Sequence, residues 1–406
     1  MIYDSARGIK DRLIHALSRL LMSKSYFDIS MRDIAHEAGI SVSTFYLNYK
    51  SKEDILREYI NDSITRIKLN IEGIIHPGDP TLTVRSMVKY MTILWGDPSM
   101  LALHRVLREI EFIDRELAST YYRELLNFMA NVLTDMGIHG DPHVISAMIL
   151  GSSQFIHLFR KILGVAGNVL LDIDIAGDVL LKGLGKTLPM SRITELVKSR
   201  ISIYVPDIIT LSEDYGIYNR LGITGIKKRL IISALKLLSR KSFRETKITE
   251  VVNDAGYAVG TFYRFYNSKR AFLMDLVRVV GSTVRRFLST CVEGLEDRVE
   301  VEIAGTTCFL NFVNKNGQIY NIVRESEFID LEIARNYYIT FMNNYSEKIS
   351  RASGQVITYD PQSLSIVLMG INHLLGMITS IMNILPNHEA VALEAAKVYS
   401  NGIIRM

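Results

Sequence analysis

Two stretches lying 217 residues apart carry the same pattern, and that recurrence limits what this chain can become. Aligned without a gap, Ile9–Lys52 and Ile226–Lys269 are identical at 18 of 44 positions. A second block recurs further along. Arg108-Glu109-Ile110-Glu111-Phe112-Ile113-Asp114 runs on to Tyr121-Tyr122, and it returns as Arg324-Glu325-Ser326-Glu327-Phe328-Ile329-Asp330, running on to Tyr337-Tyr338. Asp141-Pro142, Gly151 and Gly183 are answered by Asp360-Pro361, Gly370 and Gly402. Register kept over that length means one whole unit was duplicated.

Each unit reads as helical. Leu13, Ala16, Leu17, Leu20 and Leu21 fall on one face of a first helix. Ser30 with Asp33 three residues on has the form of a capping box and opens a second. Ala38-Gly39 makes the corner, because glycine tolerates positive φ, and Ser41 opens a third helix. Ser51 caps a long fourth one that stops before His76-Pro77-Gly78. Lys52 at its N-terminus is unfavourable against the helix dipole, a cost that a nearby phosphate would reverse. With 406 residues, 48% apolar and 8 prolines, the chain has material for more than one helical core. The expected fold class is all-α.

A three-helix module ending in Ala-Gly-x-x-x-x-Thr-Phe-Tyr-x-x-Tyr-x-Ser-Lys resembles the DNA-binding domain of the TetR/AcrR family of ligand-responsive repressors. The resemblance implies dimers of one such head plus a helical ligand layer. Here both heads sit in one chain, so it implies two tandem TetR-like units folded as a monomeric, intramolecular pseudo-dimer. The divisions expected are a helix-turn-helix head over 1–55, a ligand and dimerisation layer over 56–188, a linker over 189–215, a second head over 216–272 and a second layer over 273–406. Within the linker, Ser191–Ile203 reads as helix, broken at Pro206, followed by mixed loop. Its span of roughly 60 Å suffices to join the copies within one molecule. The implied partners are double-stranded operator DNA and a small, largely apolar effector, with no cofactor, no metal and no membrane, in the cytoplasm. The function implied is repression released by that effector. A duplicated protein-interaction or structural scaffold with one or both heads vestigial is the alternative, and retention on a DNA column separates the two.

A recognition helix reads base edges from its N-terminal part while flanking groups hold phosphates. In the first head the exposed positions are expected at Ser41, Val42, Ser43, Thr44, Tyr46 and Asn48, with Phe45 packed inward. Arg32 has the reach for bidentate bonds to guanine. The family resemblance assigns phosphates to Thr44, Tyr46 and Lys52, with Tyr49 beside them; the same hydroxyls could equally cap helices or be solvated. In the second head Thr249, Ala258, Gly260 and Phe265 replace Arg32, Ser41, Ser43 and Asn48, Val259 matches Val42, and Arg264 replaces Leu47. The phosphate set returns as Thr261, Tyr263, Tyr266 and Lys269. Residues 1–60 hold 9 Lys/Arg against 8 Asp/Glu, whereas residues 216–277 hold 12 against 4. That imbalance suits a half-site held by charge and shape more than by base hydrogen bonds.

For the charged repeat two readings stand: a salt-bridged structural helix, or the wall of an effector pocket. The second would use His104, Arg108, Glu111, Phe112, Tyr121 and Tyr122, with Arg324, Glu327, Phe328, Tyr337 and Tyr338 in the other copy. No phosphate loop, nucleophile elbow or metal-spaced His/Cys cluster is visible, so catalysis is not expected. Cys291 and Cys308 are expected as buried free thiols. Leu364–Leu385 lacks formal charge for long enough to span a bilayer, but its polar residues favour a helix buried in an interface.

Overall fold

The computed structural model describes residues 2–351 and 359–404, where every regular element is a helix. The first copy comprises α1 (Ile2–Ser23), α2 (Met31–Glu37), α3 (Val42–Asn48), α4 (Lys52–Glu72), α5 (Pro80–Leu94), α6 (Pro98–Ile110), α7 (Arg115–Asp135), α8 (Pro142–His157) and α9 (Val169–Lys182). A linker follows with α10 (Met190–Ile201), α11 (Ile208–Asp214) and α12 (Ile217–Arg220). The second copy comprises α13 (Gly225–Leu238), α14 (Ile248–Asp254), α15 (Val259–Phe265), α16 (Lys269–Cys291), α17 (Arg298–Ile329), α18 (Leu331–Arg351), α19 (Pro361–Gly376) and α20 (His388–Asn401).

Caps set many of these starts. Ser30 and Asp33 close a reciprocal capping box on α2, and Ser51 with Asp54 does the same on α4. Asp79, Asp141 and Asp360 each cap a helix whose first residue is proline. The copies differ in one large respect. Trp95-Gly96-Asp97 interrupts the first before Pro98 starts α6, because proline disfavours a helical residue ahead of it. Asn314 stands at the matching place in the second copy, and α17 runs unbroken for 32 residues.

The copies join about an internal pseudo-two-fold axis. There α8 crosses α19 with Gly151 against Gly370: a Cβ added at Gly151 would lie 2.5 Å from the Gly370 carbonyl oxygen. Beside that crossing α9 meets α20 through reciprocal backbone bonds. Leu184 N–H donates to the Tyr399 carbonyl at 2.7 Å, and Ile403 N–H donates to the Leu180 carbonyl at 3.0 Å. Arg160 adds a buried bidentate bond to Asp172, at 2.6 and 2.8 Å, and reaches Gln362 of the other copy at 2.8 Å. The segment Pro361–Ile381 is long and apolar enough to cross a membrane, with a mean hydropathy of 1.7 over its most apolar 18 residues, yet 89% of that window is buried inside the protein. Its apolar surface is spent on this seam.

Beyond Pro206 the linker is more ordered than a mixed loop. Asp207 caps α11 by accepting from Ile209 and Thr210 N–H, and left-handed Gly216 turns the chain into α12. The linker lies along the second copy: Arg192 holds Glu300 through two bonds of 2.7 and 2.8 Å, and Asn311 donates to the Ile201 carbonyl. The expectation of free thiols is corrected too. Cys291 ends α16 and Cys308 faces it from α17 with Cα atoms 6.5 Å apart, and the two form a disulfide.

Candidate nucleic-acid interface

Each head is a small core under an exposed short helix. In the first, Phe45 is fully buried beneath α3 while Val42, Tyr46 and Leu47 face outward. Ser41 caps α3 by accepting from Thr44 N–H at 3.0 Å, and its hydroxyl meets that of Thr44 at 2.8 Å. Asn48 donates to the Thr44 carbonyl at 2.8 Å. Local caps therefore occupy part of this polar set, while Ser43 and Arg32 are exposed. Leu47, 86% exposed, is an outward residue that the motif alone did not single out. In the second head Phe262 is the buried anchor, and Thr249, Ala258, Val259, Gly260, Tyr263, Arg264 and Phe265 are exposed, with Thr261 half-buried. Ala258 leaves α15 without a side-chain cap. Ala258→Ser should accordingly raise the stability of this head by about 1 kcal/mol, measured as a shift in its denaturant midpoint.

Four expected phosphate contacts are corrected. Tyr49 and Tyr266 are buried in the head cores, and the Tyr266 hydroxyl donates to Asp275 at 3.1 Å. Both follow the last turn of a short helix, where extended backbone turns the ring inward. Lys52 sends its ammonium back to the Tyr26 and Ile29 carbonyls, 2.9 Å from each, and lies over the Tyr26 ring. Lys269 repeats this on the Arg244 carbonyl at 3.2 Å and over the Phe243 ring. The charge at this helix start is thus compensated by carbonyl oxygens within the head. Much of the second head's basic surplus is paired as well: Lys228 with Glu213, Lys241 with Glu250, and Lys227 near Asp275. The exposed Lys247 and Arg264 form no ion pair among the described residues.

The charged repeat holds the heads to the body. Glu109 accepts from Ser25 Oγ at 2.8 Å and Tyr26 N–H at 2.7 Å, in the turn between α1 and α2. Its counterpart Glu325 accepts from Phe243 and Arg244 N–H, both at 2.7 Å. Burial pushes both carboxyls above their ordinary range, and these hydrogen bonds work against that. The flanking charges reach across the axis: Arg108 pairs with Glu327, and Arg324 pairs with Glu111. Tyr122 donates to Glu111, Tyr338 donates to Glu327, and Phe112 packs on Phe328 with ring centres 5.4 Å apart. Burial and the neighbouring Arg108 bring the Arg324 guanidinium down to about 10, still protonated at neutral pH. Asp114 caps α7 and meets Arg57 of α4, and Asp330 at the start of α18 meets Arg270 of α16. At the same end the heads touch. The Arg244 guanidinium lies 3.5 Å from the centre of the Phe27 ring, its equivalent in the other copy.

The pocket set is therefore largely corrected. Arg108, Glu111, Phe112, Arg324, Glu327 and Phe328 build a joint on the axis. His104 is buried against Trp95, kept neutral by burial and by Arg108, and Tyr121 and Tyr122 are core residues. Tyr337 and Tyr338 do line a cavity of about 310 Å³ in the second copy, among α16, α17, α18 and α19. Phe155 enters it from the first copy.

Comparison with known proteins agrees with the head geometry. The family model for bacterial regulatory proteins of the tetR family matches twice, at residues 13–59 and 230–276. The HTH-type transcriptional regulator EthR of Mycolicibacterium smegmatis is 35% identical over 75 residues, which is 18% of this chain and 35% of that protein. Two HTH-type regulators of Bacillus subtilis are also similar. YdgC is 30% identical over 76 residues, 19% of this chain and 38% of its own length; YerO is 40% identical over 67 residues, 16% and 23% respectively. The match thus spans less than two-fifths of each relative.

Proposed function

We propose that this chain, a tandem of two TetR-family units, is a DNA-binding transcriptional regulator that engages an operator with both heads of a single molecule. The observation that supports this reading is the pairing of two exposed recognition helices with one cross-braced body. Each head is latched by a buried glutamate, Glu109 or Glu325, to a joint that both copies share. Arg32 reads a base in the first half-site, with Ser41, Val42, Ser43, Thr44, Tyr46 and Asn48 along the groove. Thr249, Ala258, Val259, Gly260, Thr261, Tyr263 and Arg264 hold the second half-site chiefly through its backbone. The regulator is a cytoplasmic repressor. A small, largely apolar effector in the helical layer moves the joint and takes the heads off the one-turn spacing of about 34–36 Å that successive major grooves require. Coupling of about 1–3 kcal/mol is the expected scale.

Selection of bound DNA from a random pool tests this. The expected operator is imperfect, with one well-defined and one degenerate half-site. Arg32→Ala should cost about 1–3 kcal/mol and relax a single base position. Arg264→Ala should weaken all sequences alike and reduce the salt slope by about 1. A perfectly palindromic operator, with equal information in both halves, would show that the substitutions between the heads do not matter for readout; no retained DNA at all would overturn the reading and favour the scaffold alternative.

A further inference from the structure

The cavity of the second copy has an aromatic interior and a cationic mouth. Phe309, Phe341 and Tyr337 supply apolar walls, while Arg285, Arg286, Arg298 and Lys348 bring four positive charges to the lining. Its lining holds a single carboxylate, Glu302, and that one is taken by Arg298 and the Tyr345 hydroxyl. Among the described residues Arg285 donates to a serine hydroxyl on its own helix, and Lys348 donates to Ser289. Neither they nor Arg286 meets a carboxylate among the described residues. The crowding is felt: burial lowers the Lys348 ammonium, and Arg298 and Arg286 push it the same way. Natural pockets seldom gather unpaired cations without a ligand that neutralises them.

The four-cation lining is not repeated in the first copy, where a cavity of about 330 Å³ is lined by Lys68, Arg123 and Glu124. Lys68 matches Arg285, but Glu124 neutralises it at 2.7 Å. Leu69 matches Arg286, and Pro80 holds the first position of α5 as Arg298 holds that of α17. Buried Val132 stands for Lys348, and buried Met129 for Tyr345. A wider cleft does lie at the break between α5 and α6, about 710 Å³, but Lys161 is the sole cation in its lining and Asp97 shares it. The asymmetry is thus one of charge as well as shape.

We propose that this cavity binds one anionic amphiphile per chain: a carboxylate or phosphate head held by Arg285, Arg286 and Lys348, with an apolar body among Phe309, Phe341 and Tyr337. The proposal rests on the effector-responsive reading and narrows its ligand class. A path to the heads is built in. Phe155 crosses from the first copy to meet Tyr338 at 5.6 Å between ring centres, and Tyr338 donates to Glu327, the partner of Arg108 beside the Glu109 latch.

Titration calorimetry of the full chain, without DNA, tests the assignment with four probes of one tail length: decanoate, decyl phosphate, decanol and decyltrimethylammonium. At least one anion should bind at one per chain, about 10–100-fold more tightly than decanol, the scale of hydrogen bonds to a charged group. Which anion binds more tightly distinguishes a carboxylate from a phosphate ligand. Arg285→Gln/Arg286→Gln, at partly exposed positions, should abolish that preference and leave decanol binding unchanged. Equal affinity for decanol and the anions, two sites per chain, or no anion binding at millimolar concentration would overturn the proposal. Regulation is read separately. An anion that binds but leaves operator affinity unchanged defeats the effector reading and keeps the site; release by a neutral ligand alone keeps the regulator and defeats the anionic class.

Discussion

Gly151→Ala should lower the stability of the chain by about 2–3 kcal/mol, at the upper end of what overpacking costs. The sign is the informative part. Exchanging glycine for alanine inside a helix ordinarily stabilises it by about 1 kcal/mol. At Gly151 the new methyl would lie 2.5 Å from the Gly370 carbonyl oxygen and 2.9 Å from Leu374 Cβ. Most of that obstruction is backbone, so no rotamer change relieves it and α8 must draw away from α19. Separation at this crossing loosens the seam on which both copies depend. Gly305→Ala, two turns inside α17, is the control: its nearest neighbour would be 3.9 Å away, so the ordinary helical gain should appear. Urea unfolding of the two variants checks this, and equal effects of the same sign would argue against a close-packed seam.

The second large effect belongs to the charged joint. Arg324→Met should cost about 3–5 kcal/mol, because it strands the Glu111 carboxylate in a site where both residues are 2% exposed by side chain. The Tyr122 hydroxyl remains as its one neutral donor. Arg324→Met/Glu111→Met removes both charges and should recover most of the loss, since desolvation nearly cancels the attraction in a buried pair. A double variant as unstable as the single one would mean that the arginine acts through packing and not through its pair. The mirror pair Arg108–Glu327 should respond in the same way, because the axis relates the two.

Helix starts and the duplication were legible because their causes are local. Ser30, Ser41 and Ser51 cap within three residues of themselves, and the caps are where spacing placed them. The charged repeat was visible as a repeat, but its use was not. Arg108 finds Glu327 across the axis rather than a partner on its own helix, and helical periodicity carries no information about that crossing. The same limit hid the disulfide, since Cys291 and Cys308 meet only because α16 and α17 fold back on each other. Tyr49 and Lys52 were misplaced for a different reason. A motif gives residue types in order, whereas the turn after α3 decides which of them face the core. Tyr337 and Tyr338 of the cavity were in the expected pocket set, but its cations escaped because they depend on what differs between copies: Arg286 for Leu69 and Lys348 for Val132 look like surface drift until both line one wall.

Mass in solution bears most directly on a single chain that presents both heads. Light scattering at micromolar concentration should give the chain mass of 46.0 kDa for the free protein, and the complex with a selected operator should contain one chain per duplex. A free particle of twice that mass, with two chains on each operator, would contradict the pseudo-dimer account of DNA binding.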